Sequence, residues 1–522
     1  MKEGERPSMG QISRRSALRA GALITGLAVA PLAGACGSAD AEDADRAGEA
    51  SGTLRFGGIG SATAVTTDPH GGIPSESDWA RMSALYDVLT MPAPDGGVRP
   101  WLATSWTAEA GATRHRFQLR TDATFSDGRP VRAADVLFSL RRIAAKSAEN
   151  GGRIGTIDVD RSRADGDHAV VLLTTAPDAD VARALAGQCF IVPDGTQSFD
   201  KPVGSGPFLL STLDGGTAAL TRNDKWWGDG PKVDALEIRG FADPQALATA
   251  VTSGEIDLAA NVGYATARGA ERTGRLTVVR RTAAASYPLI MNMSHPPFDK
   301  IEVRRAIKLA VDRQALVDAV LLGYGKPGND APHPVDSSYP SDLPAPRRDL
   351  DQARRLLDQA GYGSGFAAVI HATTSYPTMV SAATLIGQQL AEVGIRATVK
   401  EHPPETYWAQ IYTKVPLYIG YTTDALPIQH WARATTLSTA PVNETGWRSP
   451  RFDAAFAAAM ATMDADERRR LLGQLQRQLA DEGGWVMWGL GDGVDVTAKG
   501  VRDVPTASGF ARYSMAGVWL DR

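Results

Sequence analysis

A chain of 522 residues with 43% apolar residues and 31 prolines is a folded, loop-rich protein rather than a disordered one. At roughly 150 residues per domain it should contain two to four units, each able to bury a core. The formal charge is −4, a mildly acidic balance that argues against nucleic acid, whose phosphates reward basic surfaces.

The first 35 residues carry five basic and two acidic side chains. Within them, Ser13-Arg14-Arg15-Ser16-Ala17-Leu18-Arg19 precedes a weakly apolar run from Ala20 to Ala30. A charged region, a short apolar stretch and small residues before a cut site describe a signal peptide. The paired arginines resemble a twin-arginine export signal, with Ala17 where that motif usually has Phe, and the general secretory route stays open. The run is too short and Gly-rich for a transmembrane helix. It ends in Leu32-Ala33-Gly34-Ala35-Cys36-Gly37, which resembles a bacterial lipobox with Leu32 one position early. Residues 1–35 therefore read as a lipoprotein-type signal peptide and Cys36 as the lipid-bearing thiol. A plain secretory signal with an incidental cysteine is the alternative. Residues 36–52 have almost nothing to bury and read as a flexible tether. The other cysteine, Cys189, then has no disulfide partner and reads as a small buried hydrophobe.

Order begins at Thr53-Leu54-Arg55-Phe56-Gly57-Gly58, an alternating strand that ends in glycines. Leu85 to Thr90 reads as part of a helix or a strand edge. His115 to Arg120 alternates as a half-buried strand, and Phe125 to Pro130 forms a turn. A helix opens at Ala133-Ala134-Asp135. Ile157 to Val159 and Val170 to Leu173 flank the turn Ala164-Asp165-Gly166-Asp167 as a hairpin. Helical spacing covers Ile301 to Val320, Leu350 to Ala360, Tyr376 to Val393 and Arg451 to Asp481, the last with a break near Asp464. Strands fall at Ile395 to Lys400, Val415 to Tyr421 and Gly484 to Trp488. Strands alternating with helices indicate an α/β protein.

Several segments recur in a characteristic order: Thr67-Asp68-Pro69-His70, Leu85-Tyr86-Asp87-Val88-Leu89-Thr90 and Pro100 to Trp106. Phe125-Ser126-Asp127-Gly128-Arg129-Pro130, Pro202 to Phe208, Arg222-Asn223-Asp224-Lys225-Trp226-Trp227 and Pro297 to Arg313 follow. Together they resemble the extracellular solute-binding family 5, the oligopeptide-, dipeptide- and nickel-binding lipoproteins of ABC importers. The resemblance implies an α/β, two-lobed, periplasmic-binding-protein-like fold that closes on its ligand as a hinged trap. Lobe I would comprise 53–93, 201–285 and 491–522, an inserted domain 94–200, and lobe II 286–490. Within these motifs Asp127-Gly128 and Gly204-Ser205-Gly206 read as tight turns with positive φ where needed. Trp226 and Trp227 read as core anchors, and Arg304, Arg305 and Arg313 as a solvated helix face or an end cap.

No G-x-x-x-x-G-K-[ST] loop is present, so the energy for import must come from a partner. No G-x-S-x-G elbow or H-E-x-x-H helix nominates a hydrolase. The eight histidines are scattered singly, and Arg163 stands where a calcium loop through Asp158 and Asp160 needs glycine. No cofactor, resident metal or catalytic residue is expected. The resemblance places a ligand-anchoring aspartate at Asp424, where a charge-assisted pair with a peptide α-ammonium would form. Leu426-Pro427-Ile428 departs from the usual pattern there, and a solvated loop aspartate is the alternative. Tyr421 and Trp431 are candidates to stack on ligand or to pack in the core, and Ser61 is a further candidate contact.

The expected role is the solute-capturing component of an ABC importer, most simply for a short peptide. The protein would be a lipid-anchored monomer on the extracytoplasmic face of the membrane, delivering to permease and ATPase subunits. A nickel chelate, an oligosaccharide, an opine-like ligand or a sensory lipoprotein role are the rivals. Because one thiol is the leader's sole lipid attachment, Cys36→Ser should move the protein from the membrane pellet to the soluble fraction. Continued sedimentation of that variant with membranes would rule the anchor out.

Overall fold

The computed structural model describes residues 51–521 apart from 62, 64, 74, 147–152, 375, 424–427 and 508. The leader, Cys36 and Asp424 lie outside the described residues.

The first lobe is built on a nine-stranded mixed sheet. At its heart Thr53–Ile59 runs parallel to Ala235–Phe241 on one side and to Leu258–Ala259 on the other. Its alternation works as the sequence suggests: Leu54 and Phe56 are buried, with Leu236 and Ile238 beside them. Thr217–Arg222 and Phe208–Asp214 extend one edge, while Gly489–Ala498 and Leu276–Ser286 extend the other.

A separate four-stranded antiparallel sheet follows the order Ala103–Ala108, Arg114–Leu119, Ala169–Thr174, Ile157–Ala164. The hairpin of its last two strands falls where the sequence puts it. Helix Ala133–Ala145 buries Val136, Leu137, Leu140 and Ile143 into the same core, which also holds Cys189. Burial pushes that thiol up to about 12, so Cys189 is a packing residue.

The second lobe has a five-stranded sheet ordered Ile395–His402, Phe366–Thr373, Leu417–Ile419, Leu289–Met291, Trp485–Val486. The segment from Ile301 to Val320 is two helices rather than one, Ile301–Ala310 and Arg313–Val320. Asp312 caps the second by accepting from the Ala315 amide at 3.0 Å. The expected break near Asp464 is likewise a cap, for helix Ala465–Glu482.

Two expectations need correction. Arg304 and Arg313 are buried rather than solvated. Arg304 donates to the carbonyls of Phe298, Asp299 and Glu482, and Arg313 pairs with Asp330 at 2.7 Å. Arg305 is half-exposed, paired with Asp481. Gly204 and Gly206, read as turn residues, serve close approach instead. A Cβ on either would lie 2.0 or 2.5 Å from the Leu85 backbone.

The joint between the two sheets of this half of the molecule is a buried carboxylate. Asp87 accepts indole N–H bonds from Trp101 at 2.8 Å, Trp227 at 2.9 Å and, more weakly, Trp226 at 3.3 Å. Trp101 lies just before the four-stranded sheet and the paired tryptophans lie after it, so one side chain ties both necks. Arg120 covers the Trp227 ring at 3.4 Å from its centroid. Burial lifts the Asp87 carboxyl to about 6, above the 3.8 of a free aspartate, although the indole bonds pull the other way. The native state therefore holds this proton more tightly than the unfolded chain, and stability drops on this account as pH rises from about 4 to about 6. Chemical denaturation of Asp87→Asn should lack that component of the pH profile. Trp227→Phe keeps the ring but removes one charge-assisted bond and should cost about 1.5–3 kcal/mol. An unchanged unfolding free energy in Trp227→Phe would deny the joint this role.

Candidate ligand cleft

The longest connection between the lobes is a two-stranded ribbon, flanked at the boundary by Thr422–Thr423 on one strand and Gly325–Pro327 on the other. Leu276–Ser286 pairs antiparallel with Gly489–Ala498 in the first sheet, and Leu289–Met291 continues the pairing with Trp485–Val486 in the second. Between them the Trp488 indole donates to the Tyr287 carbonyl at 2.6 Å. A register shift between Arg281 and Ala285, with Ala283 at φ 57°, gives the ribbon an irregular bend at the lobe boundary.

The first lobe presents a carboxylate to the cleft. Ser75 caps helix Glu76–Leu85, which puts Glu76 in its first turn. Gly58 lets the helix start sit against the sheet, since a Cβ there would lie 3.0 Å from the Glu76 Cβ. Glu76 accepts from Asn261 Nδ2 at 2.5 Å, Arg512 Nη2 at 2.6 Å and the Tyr513 hydroxyl at 2.6 Å. Burial works to raise its carboxyl, but Arg512, Tyr513, Arg281 and Asn261 outweigh that and hold it below the usual glutamate value. Asn261 in turn accepts from Arg281, which is buried and paired with Asp495.

The second lobe presents aromatic hydroxyls. Tyr421 stacks on Tyr376 with centroids 4.3 Å apart, and Tyr287 lies 5.4 Å from Tyr421. Burial, then the two neighbouring tyrosines and the charge of Glu76, push the Tyr421 hydroxyl well above its ordinary value. The charge of Glu76 also contributes to raising Tyr376, after burial. A carboxylate–guanidinium floor thus faces a tyrosine wall across the lobe boundary. A groove of about 1250 Å³ separates the Pro92–Gly97 turn and C-terminal residues 503–517 from the second-lobe loop Pro334–Ser337.

Polar contacts join the four-stranded unit to the second lobe. Arg433 pairs with Asp178 at 2.9 Å and Arg183 with Asp336 at 3.0 Å. The Gln188 amide lies 3.0 Å from His430 Nδ1, and the Ala179 amide donates to the Met460 carbonyl at 2.7 Å. Burial first, then Arg433, pushes His430 down to about 4, so it is neutral near pH 7 and Nδ1 can accept from Gln188. These four contacts form a latch.

The candidates read from sequence disperse. Tyr421 lies on the cleft wall. Trp431 is buried between His333, at 4.4 Å, and Trp485, at 5.2 Å, and so belongs to the second-lobe core. Ser61 is exposed just past the first strand, its hydroxyl accepting from the Thr63 amide at 3.2 Å. Asp424 falls outside the described residues. Glu76, Arg512 and Tyr513 were not singled out by sequence, because no local motif marks them. The histidines are not all solitary: His371 and His402 stack on adjacent strands with nitrogens 2.9 Å apart. Among the described residues no group of three metal-ligating side chains forms.

Two lobes joined by paired strands, with polar and aromatic faces opposed across the boundary, define a solute-binding protein of the hinged type. Residues 97–443 match the bacterial extracellular solute-binding proteins, family 5 (middle region), and the chain belongs to that family. The glutathione-binding protein GsiB of Salmonella choleraesuis is 26% identical over 445 residues, 81% of this chain and 86% of that one. A dipeptide-binding protein of Pseudomonas aeruginosa is 26% identical over 429 residues, covering 74% of this chain and 80% of its own. The fold matches Helicobacter pylori DppA in complex with the peptide STSA, with a TM-score of 0.75, 21% identity and coverage of 91% and 99%. It also matches Brucella suis NikA in complex with Fe(III)-EDTA, with a TM-score of 0.78, 20% identity and coverage of 90% and 100%.

The latch bonds exist only while the lobes touch, so breaking them should open the molecule without unfolding it. In solution scattering without ligand, Asp178→Ala and Arg183→Met should each enlarge the radius of gyration, with little change in the unfolding midpoint. An unchanged radius in the double variant would show that these pairs do not hold the lobes together.

Proposed function

We propose that this protein captures a short peptide in the cleft between its lobes and delivers it to the permease and ATPase of an ABC importer. The observation that carries the reading is the opposition of the Glu76–Arg512–Tyr513 floor to the Tyr421–Tyr376 wall across the lobe boundary. Charged groups on one face suit the termini and polar backbone of a peptide, and stacked tyrosines suit its side chains. The glutathione- and dipeptide-binding relatives support the same ligand class.

On this reading the lobes divide near 53–93, 201–285 and 491–522 for the first, 94–200 for the inserted domain and 286–490 for the second. The protein works as a monomer, held by a lipid on Cys36 at the extracytoplasmic face of the membrane, with residues 36–52 as tether. Asp424 anchors the ligand's α-ammonium, because a carboxylate desolvated by closure is costly unless paired.

Calorimetry with di- and tripeptides, including glutathione, tests this directly. Asp424→Asn should weaken binding by about 2–5 kcal/mol, the range for truncating a buried charge pair. N-acetylating the peptide should cost wild type a similar amount, and the two changes together far less than their sum. Fully additive losses would mean that the aspartate and the amino group do not meet. Binding of no peptide at all would overturn the ligand class.

A further inference from the structure

Arg153 is a buried cation without an acidic partner among the described residues. Arg153 lies between helix Ala133–Ala145 and strand Ile157–Ala164, and only 8% of its surface is exposed. Among the described residues no carboxylate forms a salt bridge with it, and its Nη1 has no hydrogen-bond partner. Its guanidinium lies over the Trp79 ring, 5.3 Å from the centroid. Trp79 belongs to the Glu76 helix and packs on Phe510 at 4.0 Å and Tyr513 at 6.5 Å, so Arg153 adjoins the cleft floor.

The second lobe reaches the same place. Gly155, two residues on, has φ 60°, and a Cβ there would lie 3.5 Å from His430 Nε2 and 3.7 Å from Arg433 Nη1. Both of those atoms are themselves buried without a partner. Gly155 thus brings two buried, unpartnered donors of the second lobe to within two residues of Arg153, and the acid there, Asp178, is already engaged by Arg433 through its other nitrogen. Burying a guanidinium unpaired is costly, and a fold carries that cost where something else supplies the charge. A guanidinium's planar fork matches a carboxylate in two parallel bonds.

We propose that Arg153, with Arg433 and His430 beside it, is the seat of the solute's carboxylate, and that the solute completes the junction between the lobes. The assignment rests on the peptide reading of the cleft and names which end of the peptide lies against the inserted unit. It has a property that a structural arginine lacks. Removing an uncompensated buried charge should stabilise the empty protein while weakening its hold on ligand.

The experiment compares wild type, Arg153→Met and Arg153→Lys by calorimetry and thermal unfolding, with trialanine and trialanine amide as probes. Wild type should prefer the free acid at least about tenfold, and Arg153→Met should lose roughly thirtyfold or more in affinity for it. The amide should bind both proteins alike, Arg153→Lys should fall between, and ligand-free Arg153→Met should melt higher than wild type. A preference retained in Arg153→Met, or a lowered melting temperature in the empty variant with unchanged affinity, overturns the proposal. If wild type binds neither probe, the peptide reading has failed, and glutamate, succinate and citrate become the probes. Binding of any of these that is lost in Arg153→Met upholds the seat, and binding of none by wild type overturns it.

Discussion

The molecule's behaviour as a trap depends on a ribbon of two antiparallel strands, flanked at the lobe boundary by Thr422–Thr423 and Gly325–Pro327. Leu276–Ser286 and Gly489–Ala498 are hydrogen-bonded to each other from the first sheet to the lobe boundary, and their continuations stay paired in the second sheet. A paired ribbon resists shear and stretch but bends and twists at an irregularity, and the register shift after Arg281 supplies one. The root of the ribbon is held firmly. Arg281 is buried, ion-paired to Asp495 on the partner strand, and bonded to Asn261, which itself donates to Glu76. The hinge and the cleft floor are therefore one hydrogen-bonded network, and a movement of either strand is felt at the Glu76 carboxylate.

Charge is distributed unevenly over this framework. The floor is internally balanced, because Glu76 has Arg512 and Arg281 has Asp495. Both ion pairs of the latch span the boundary, although Arg183 also has Asp180 within its own unit at 3.1 Å. Partly exposed pairs of this kind are worth little singly, about 1 kcal/mol or less. The side chain of Asp178 is fully buried and that of Asp336 nearly so, whereas their arginines stay partly accessible, which points to the carboxylates as the groups most dependent on closure.

Much of the scaffold was legible in the sequence, for simple reasons. Leu54 with Phe56, and Phe117 with Leu119, alternate because the side chains of each pair point to one face of their strand and fill the same core. Asp464 announced a helix start because its side chain caps one. Val311-Asp312 also held a cap, but the apolar spacing on either side ran through it and suggested one helix. Arg304 and Arg313 misled for a different reason: charge implies solvent unless the partner is seen, and their partners are carbonyls and an aspartate supplied by the fold. The cleft was scarcely legible. Glu76 and Arg512 are 436 positions apart, and nothing local to either reveals the other. The sequence offered Tyr421 and Trp431 alike as ligand or core candidates, and only packing separates them: Trp431 lies in the second-lobe core, whereas Tyr421 stacks on Tyr376 beside the lobe boundary.

The Asp87 joint explains why contacts made by the inserted unit can act on the lobes at all. A domain attached by two free necks would swing independently, and bonds it formed with the second lobe would move the insert alone. Here Trp101 from one neck and Trp226 and Trp227 from beyond the other are fastened to the same carboxylate. Two attachment lines fixed at one point leave little rotational freedom, so the insert and the first lobe move as one body. Attraction at Asp178, Arg183 and Gln188 therefore closes the whole first lobe onto the second. Closure in this fold is thus governed from three places, the ribbon that bends, the joint that makes one lobe rigid and the latch that rewards contact.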